Sequence, residues 1–168
     1  MSRYRAPAPA KSAYITTAGM ELLRAEEKAL WSKRREVVLA LSAAAAEGDR
    51  SENAEYIYRK KELREIDRRI RYLQKRLPKL TVVSSKPARN DQVFFGATVS
   101  LEDESGQESI YCIVGPDEFD RAPHFISVDS PLARSLMKRL LDDEVVVQTP
   151  GGTKTYIITE IQYGQVSE

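Results

Sequence analysis

Apolar residues recur at helical spacing through two long stretches, from about Thr17 to Glu47 and from about Ser51 to Leu77. Neither stretch contains an internal proline, and Gly48 is the one helix breaker between them. Because so few residues join the two helices, they are predicted to fold back as an antiparallel pair. The joining segment then lies at the exposed end of a rod, on the order of 40 Å from its base.

Both helices carry apolar residues at heptad spacing, which is typical of a coiled coil. The apolar seam of each helix is covered by the other helix of the same chain. The pattern therefore predicts an intramolecular antiparallel pair and a monomer. Thr16 or Thr17 is suited to cap the first helix. Arg59 is the one residue at a seam position of the second helix that is not apolar. The heptad positions are Leu23, Leu30, Val37 and Ala44 in the first helix, and Tyr56, Leu63, Ile66, Ile70, Leu73 and Leu77 in the second.

After the second helix the period changes from helical to alternating, which predicts strands. One strand is expected over Val93–Leu101, a second over Ile110–Val114 and a third near Phe125–Val128. Ser130 and Pro131 suit the start of a helix over Leu132–Leu141. A closing hairpin is expected over residues 145–163. The fold class is therefore α+β, with a long helical hairpin followed by a small β-sheet domain that contains one helix.

These patterns divide the chain into four parts. Residues 1–13, with two prolines, are expected to form a disordered leader. The coiled coil is expected over 14–79, a linker over 80–90 and the second domain over 91–168. Within that domain, Cys112 is expected to be buried in a strand, and His124 to lie in a loop or at a strand edge.

The net charge of +1 hides an uneven distribution. Residues 1–80 hold 19 Lys and Arg against 11 Asp and Glu, whereas residues 81–168 hold 7 against 14. The basic half suggests a phosphate backbone as partner, and the acidic half argues against nucleic-acid binding by the second domain.

The single cysteine excludes an internal disulfide and fits the cytoplasm, and no apolar run is long enough to cross a bilayer.

Basic residues of the second helix lie opposite its apolar seam and step by three and four, which forms a stripe. We predict that this basic stripe contacts nucleic acid, although a merely solvated face is the alternative. Tyr58 and Tyr72 flank it and are suited either to stack on unpaired bases or to pack at the edge of the seam. The residues predicted to contact nucleic acid are Lys60, Lys61, Arg64, Arg68, Arg71 and Lys75.

Acidic residues gather where the two helices meet: Glu47, Asp49, Glu52 and Glu55. Asp49 and Glu52 have the spacing of a capping box at the start of the second helix. The functional alternative is that these carboxylates act as hard oxygen ligands, which bind Mg²⁺ only weakly without further ligands from another protein. The chain lacks HExxH, Gly-rich phosphate loops and Cys/His clusters, so it does not have the sequence of a self-sufficient enzyme.

Three segments resemble the bacterial Gre family of transcript-cleavage factors: residues 48–56 (GDRSENAEY), 60–73 and 93–97 (VFFGA). Residues 126–134 (ISVDSPLAR) extend the likeness, which runs in order from about Tyr14 to Tyr163. The dense arginine series is more similar to the GreB branch than to the GreA branch. The acidic motif is intact, unlike that of relatives that keep the fold but have lost cleavage.

The resemblance implies a factor that inserts its coiled coil into the secondary channel of a backtracked RNA polymerase. Asp49 and Glu52 would help to hold a catalytic Mg²⁺ shared with the polymerase and to position water. Ser51, Asn53 and Glu55 would support the tip, and the stripe would hold the extruded 3′ RNA. The C-terminal domain would be FKBP-like and would dock on a coiled coil at the channel rim. The docking residues would be Asp129, Ser130 and Pro131, although these three also suit a plain helix cap.

Two other functions remain open from the sequence. One is a non-catalytic regulator of the same fold that occupies the channel and inhibits the polymerase. The other is a general RNA-binding or prolyl-isomerase module, against which the scattered aromatic residues of the acidic half argue.

Overall fold

The computed structural model describes residues 8–48, 53–84 and 86–164. The chain divides into two compact units, one over Met20–Leu80 and the other formed by the residues up to Gly19 together with those from Thr81 onward. The helical unit contains most of a long helix and all of a second one. The other unit contains the sheet.

The helical unit is an antiparallel hairpin of α1 (Thr17–Ala46) and α2 (Ala54–Arg76), followed by a 3₁₀ turn at Leu77–Lys79. Contacts between the helices pair late residues of α1 with early residues of α2, as an antiparallel arrangement requires. Val37, Ile66 and Ile70 form a buried cluster at the seam, with Leu30 and Leu63 packed against it. Leu23, Ala44 and Leu73 are also buried, so the heptad prediction is confirmed.

The second unit contains β3 (Thr98–Asp103), β4 (Glu108–Val114), β5 (Phe125–Ser127), α3 (Pro131–Leu136), β6 (Glu144–Thr149) and β7 (Gly152–Gln162). Its strands form a five-stranded sheet in the order β5-β4-β3-β7-β6. The β4–β5 pair is parallel, and the other three pairs are antiparallel. The one α-helix of this domain, α3, contributes Ala133 and Leu136 to the buried core against the sheet. This arrangement confirms the α+β class.

Two elements of this domain are shorter in the structure than predicted from the sequence. The first strand begins at Thr98 rather than at Val93, because Gly96 has a φ of +85° and turns the chain before the strand. The helix predicted over Leu132–Leu141 ends at Leu136, and the left-handed backbone of Lys138, with φ 67°, prevents its continuation. Two hydrogen bonds then join the two turns: Lys138 N donates to Val93 O at 2.7 Å, and Val93 N donates to Arg139 O at 2.8 Å.

A second, two-stranded sheet joins the chain before the hairpin to the chain after it. β1 (Tyr14–Thr16) pairs in parallel with β2 (Thr81–Val83), so the predicted linker over 80–90 contains a strand. Thr16 also caps α1, since its Oγ1 accepts from Gly19 N at 3.0 Å.

Glu118 holds this N-terminal segment against the end of β4. Its side chain is only 2% exposed, and Oε2 accepts from Thr16 N at 2.8 Å and from Gly115 N at 3.0 Å. The Thr16 hydroxyl donates to Oε1. A Cβ on Gly19 would lie 2.3 Å from that oxygen, so the site has room only for glycine. Asp129 adds a contact by accepting from Ser12 N at 2.9 Å.

The remaining single-residue predictions for this domain hold. Cys112 is buried in β4, and burial raises the pKa of its thiol. His124 lies directly before β5, where its carbonyl accepts from Cys112 N at 2.8 Å. Over the described ranges, no helix combines the length and the apolar character that crossing a membrane would take.

Candidate functional site

Asn53 closes the turn between the two long helices. Its Oδ1 accepts from Tyr56 N at 3.1 Å, which caps α2, and its Nδ2 donates to Ala44 O at 2.8 Å. One side chain therefore satisfies free backbone groups at the end of α1 and at the start of α2. Gly48, with φ +130°, provides a backbone conformation that L side chains rarely adopt.

The capping-box interpretation of Asp49 and Glu52 is wrong for α2, because the helix is capped by Asn53 and begins at Ala54. Asp49, Ser51 and Glu52 themselves lie outside the described residues. Asn53 and Glu55 are the two predicted support residues that are described. Asn53 makes the contacts expected of that role, and Glu55 is bound to Arg59 one turn further along α2.

Replacing Asn53 with Ala is expected to lower the free energy of unfolding of the hairpin by about 1 kcal/mol, the usual cost of losing an N-cap. Asn53→Asp is the matched control, because it keeps the acceptor for Tyr56 N and loses the donor to Ala44 O. Urea unfolding followed by circular dichroism measures both. An unchanged midpoint in the Ala variant would contradict the role assigned to Asn53.

Acidic side chains along the flanks of the seam form ion pairs between α1 and α2. Arg69 binds Glu26 through two nitrogens at 2.6 and 3.0 Å, and Arg34 Nε lies 2.7 Å from Asp67 Oδ1. These groups are about one third exposed or more, so each pair adds only a fraction of a kcal/mol. Their importance is that they fix where the charges of α2 point.

Arg59, which breaks the apolar pattern, is fixed by two carboxylates of its own helix. Its Nε lies 2.8 Å from Glu55 and its NH1 lies 3.1 Å from Glu62, which also pairs with Lys33 at 3.3 Å. Partial burial raises the pKa of Glu62, but the hydrogen bonds from Lys33 and Arg59 outweigh it and leave the pKa lowered. The sequence identified Arg59 as an exception without indicating this cluster.

The basic stripe has the opposite character, because its six side chains are all exposed. Within the part of the chain that the structure describes, no ion pair joins Lys61, Arg64, Arg68, Arg71 or Lys75 to an acidic side chain. Lys60 lies over the Tyr56 ring, with Nζ 5.7 Å from its centroid. Of the three acids that a solvated face would pair with these cations, Glu62 and Asp67 are bound to other residues, whereas Glu65 is exposed and has no ion pair among the described residues. The stripe is thus a line of available positive charge.

The described tip does not hold a complete metal site. No group of three or more His, Cys, Asp or Glu side chains converges anywhere in residues 8–48, 53–84 and 86–164. The carboxylates of Asp49 and Glu52 supply oxygen ligands, which are the ligands that Mg²⁺ prefers. Two carboxylates supply only part of its coordination, and other ligands must come from water or a partner.

The third predicted site lies at the start of α3, where the three residues have different roles. Ser130 caps the helix, with Oγ accepting from Ala133 N at 3.2 Å, and Pro131 occupies the first turn and is exposed. Asp129 binds Ser12 N. The capping interpretation therefore holds for Ser130, and Pro131 is the member of the set most open to a partner.

Models of two protein domains match nearly the whole chain. Residues 13–82 match the N-terminal domain of the GreA/GreB transcription elongation factors, and residues 88–163 match their C-terminal domain. Among solved structures, Gfh1, a GreA factor homologue of Thermus thermophilus, is 24% identical, with a TM-score of 0.40 over 90% of this chain and 99% of that one.

Curated relatives are similar over almost their full length. Transcription elongation factor GreB of Pseudomonas aeruginosa is 56% identical over 97% of this chain and 98% of its own length. GreB of Xanthomonas axonopodis pv. citri is 55% identical over 99% of this chain and 100% of its own, and GreB of Vibrio cholerae is 46% identical over 91% and 96%. The chain therefore belongs to the GreA/GreB family of transcription elongation factors, in which it is most similar to GreB.

Proposed function

We propose that the chain, as a monomer, binds bacterial RNA polymerase in the cytoplasm and inserts its helical hairpin into the secondary channel. There it stimulates Mg²⁺-dependent cleavage of backtracked 3′ RNA and rescues arrested complexes. The observation that carries this proposal is the cap at Asn53, which holds the turn closed without using Asp49 or Glu52 as the cap. The cap of α2 therefore requires neither acid, and the proposal assigns both to chemistry at the end of the hairpin.

In this proposal the chain is not itself an enzyme but completes the active site of the polymerase. Asp49 and Glu52 would hold Mg²⁺ jointly with polymerase carboxylates, and the bound ion would activate water and stabilise negative charge on the phosphate. The chain contributes the two carboxylates and orients water through them. Asn53 keeps the helix ends together, and Ser51 is assigned a supporting role.

The basic stripe binds the RNA in this proposal. A single strand carries one phosphate per nucleotide, and exposed cations at every helical turn match a polyanion that runs along α2. Glu62 and Asp67 do little to oppose this contact, because they are bound to Lys33, Arg34 and Arg59.

We further propose that the C-terminal domain docks on a coiled coil at the channel rim through Asp129, Ser130 and Pro131. Pro131 is exposed and supplies the contact surface. Ser130 and Asp129 hold it in place, the first by capping α3 and the second by binding Ser12 N. An FKBP-like relationship for this domain also stays a prediction.

Replacing Arg64, Arg68 and Arg71 together with Gln is expected to weaken the contact with extruded RNA and to reduce its salt dependence. Losing three phosphate contacts lowers the slope of log affinity against log salt by about 2, at roughly 0.7 per contact with single strands. Crosslinking of the factor to labelled 3′ RNA in backtracked complexes, titrated at several salt concentrations, measures the slope. Arg24, Lys28 and Arg35, all exposed on α1, provide the matched triple Gln control. Equal slopes for the two triple variants would contradict the assignment.

The proposed function is tested with a halted, backtracked elongation complex that carries 5′-labelled RNA in Mg²⁺. Adding the chain is expected to shorten the RNA and to restore extension when nucleotides return. If the chain binds and inhibits without shortening the RNA, it is a channel regulator without cleavage activity. If it neither binds nor cleaves, the proposal fails altogether.

A further inference from the structure

The line of the basic stripe continues toward the hairpin tip into apolar surface. Positions 57, 61, 64, 68, 71 and 75 step by four and three, so Ile57 occupies the next place on the same helix face. Its side chain is 53% exposed, and that of the adjacent Tyr58, which borders the stripe, is 58% exposed. Large exposed apolar side chains at the end of a cationic track are not explained by packing within the hairpin.

The Tyr58 ring is held by the cluster that fixes Arg59. The guanidinium carbon of Arg59 lies 5.6 Å from the centroid of the ring, within the range of a cation–π contact. Glu55 and Glu62 bind that guanidinium from two sides, at 2.8 and 3.1 Å. The ring therefore rests on an immobilised cation and needs little ordering before it can receive a planar ligand.

Tyr72 borders the same stripe and also lies near an ion-paired arginine, but its position differs. It is only half-exposed, it lies further from the tip, and Arg69 lies 5.3 Å from its centroid while also bound to Glu26 across the hairpin. Of the two tyrosines, Tyr58 thus combines exposure with proximity to the turn, whereas Tyr72 belongs to the contact between the helices.

We propose that Tyr58 is a stacking platform for an unpaired nucleobase of the extruded RNA, with Ile57 providing apolar contact beside it. This inference rests on the proposed function, since it assumes that RNA follows the stripe toward the tip. The stripe binds phosphates without regard to base identity, and a stacked base fixes the register of the strand. Tyr58 would then be a positioning residue that determines which phosphodiester faces the tip acids.

The test uses the full chain and a short single-stranded RNA that carries one 2-aminopurine, whose fluorescence falls when the base stacks. Native protein and Tyr58→Phe are expected to quench the fluorescence at the same concentration. Tyr58→Leu keeps apolar bulk without a ring and is expected to need about tenfold more protein, in the range of one base–aromatic stack. Tyr72→Leu is the matched control and is expected to resemble the native chain.

Competition with an RNA that has an abasic site at the same position separates stacking from phosphate binding. The native chain is expected to prefer the intact RNA about tenfold, and Tyr58→Leu is expected to lose that preference. Equal preference in both proteins, or no quenching by the native chain, would overturn the inference. This binding readout does not depend on cleavage, so a chain that stacks RNA but fails to cleave it would refute the proposed function and leave the platform in place.

Discussion

Asp49→Asn and Glu52→Gln are each expected to reduce stimulated RNA cleavage by roughly 10²-fold or more, while the protein still binds polymerase. Each change preserves the size of the side chain and removes the negative charge that holds Mg²⁺ and orients water. Since α2 is capped by Asn53, neither change removes the cap of that helix. The rate of shortening of labelled RNA in backtracked complexes, at saturating factor, measures the loss.

Glu36→Gln is the charge-matched control, because Glu36 is an exposed carboxylate on α1 away from the turn. It should cleave at the native rate. Competition with the native chain for the polymerase verifies that both tip variants still bind. Native cleavage rates in Asp49→Asn and Glu52→Gln would show that the tip acids have no catalytic role.

Glu118→Ala is expected to lower the free energy of unfolding of the C-terminal unit by about 3 kcal/mol or more. Removing the buried carboxylate leaves the amides of Thr16 and Gly115 without their acceptor, and each buried unsatisfied donor costs about 1–3 kcal/mol. A cavity adds to the loss. Calorimetry should show a fall in melting temperature of roughly 10 °C.

Glu118→Gln separates the hydrogen bonds from the charge. Its amide oxygen can accept from both backbone N–H groups, so most of the stability should return. If Glu118→Ala melts at the native temperature, the carboxylate does not hold the N-terminal segment. The same amide hydrogens of Thr16 and Gly115 should exchange faster with solvent in the Ala variant than in the Gln variant.

The helical hairpin could be predicted from sequence because its determinants are local and repeated. Apolar residues every seven positions fixed the seam, and Val37, Ile66 and Ile70 are buried as expected. The start of α2 was harder to predict, because Asp49 and Asn53 are both good capping residues by type, and the contact of Asn53 with the carbonyl of Ala44 has no signal in the local pattern. That contact depends on the end of the other helix.

The C-terminal unit was predicted less completely because several determinants are contacts between distant residues. A three-residue parallel pair such as β1 with β2 has too short a pattern to be recognised, and its partners lie on either side of the hairpin. Glu118 looks like any loop carboxylate until Thr16 is brought beside it. The late start of β3 and the early end of α3 depended on backbone conformation at Gly96 and Lys138. A lysine does not indicate a left-handed backbone in the sequence.

The central claim, that the hairpin tip reaches the polymerase active site, is tested most directly by crosslinking from Ala46. This residue is exposed at the end of α1, where a photoreactive side chain replaces little packing. In a backtracked complex it should crosslink to the 3′ segment of the RNA or to polymerase residues at the active site, whereas the same probe at exposed Thr153 should not. Crosslinks from Ala46 only to the outer surface of the polymerase would contradict the account.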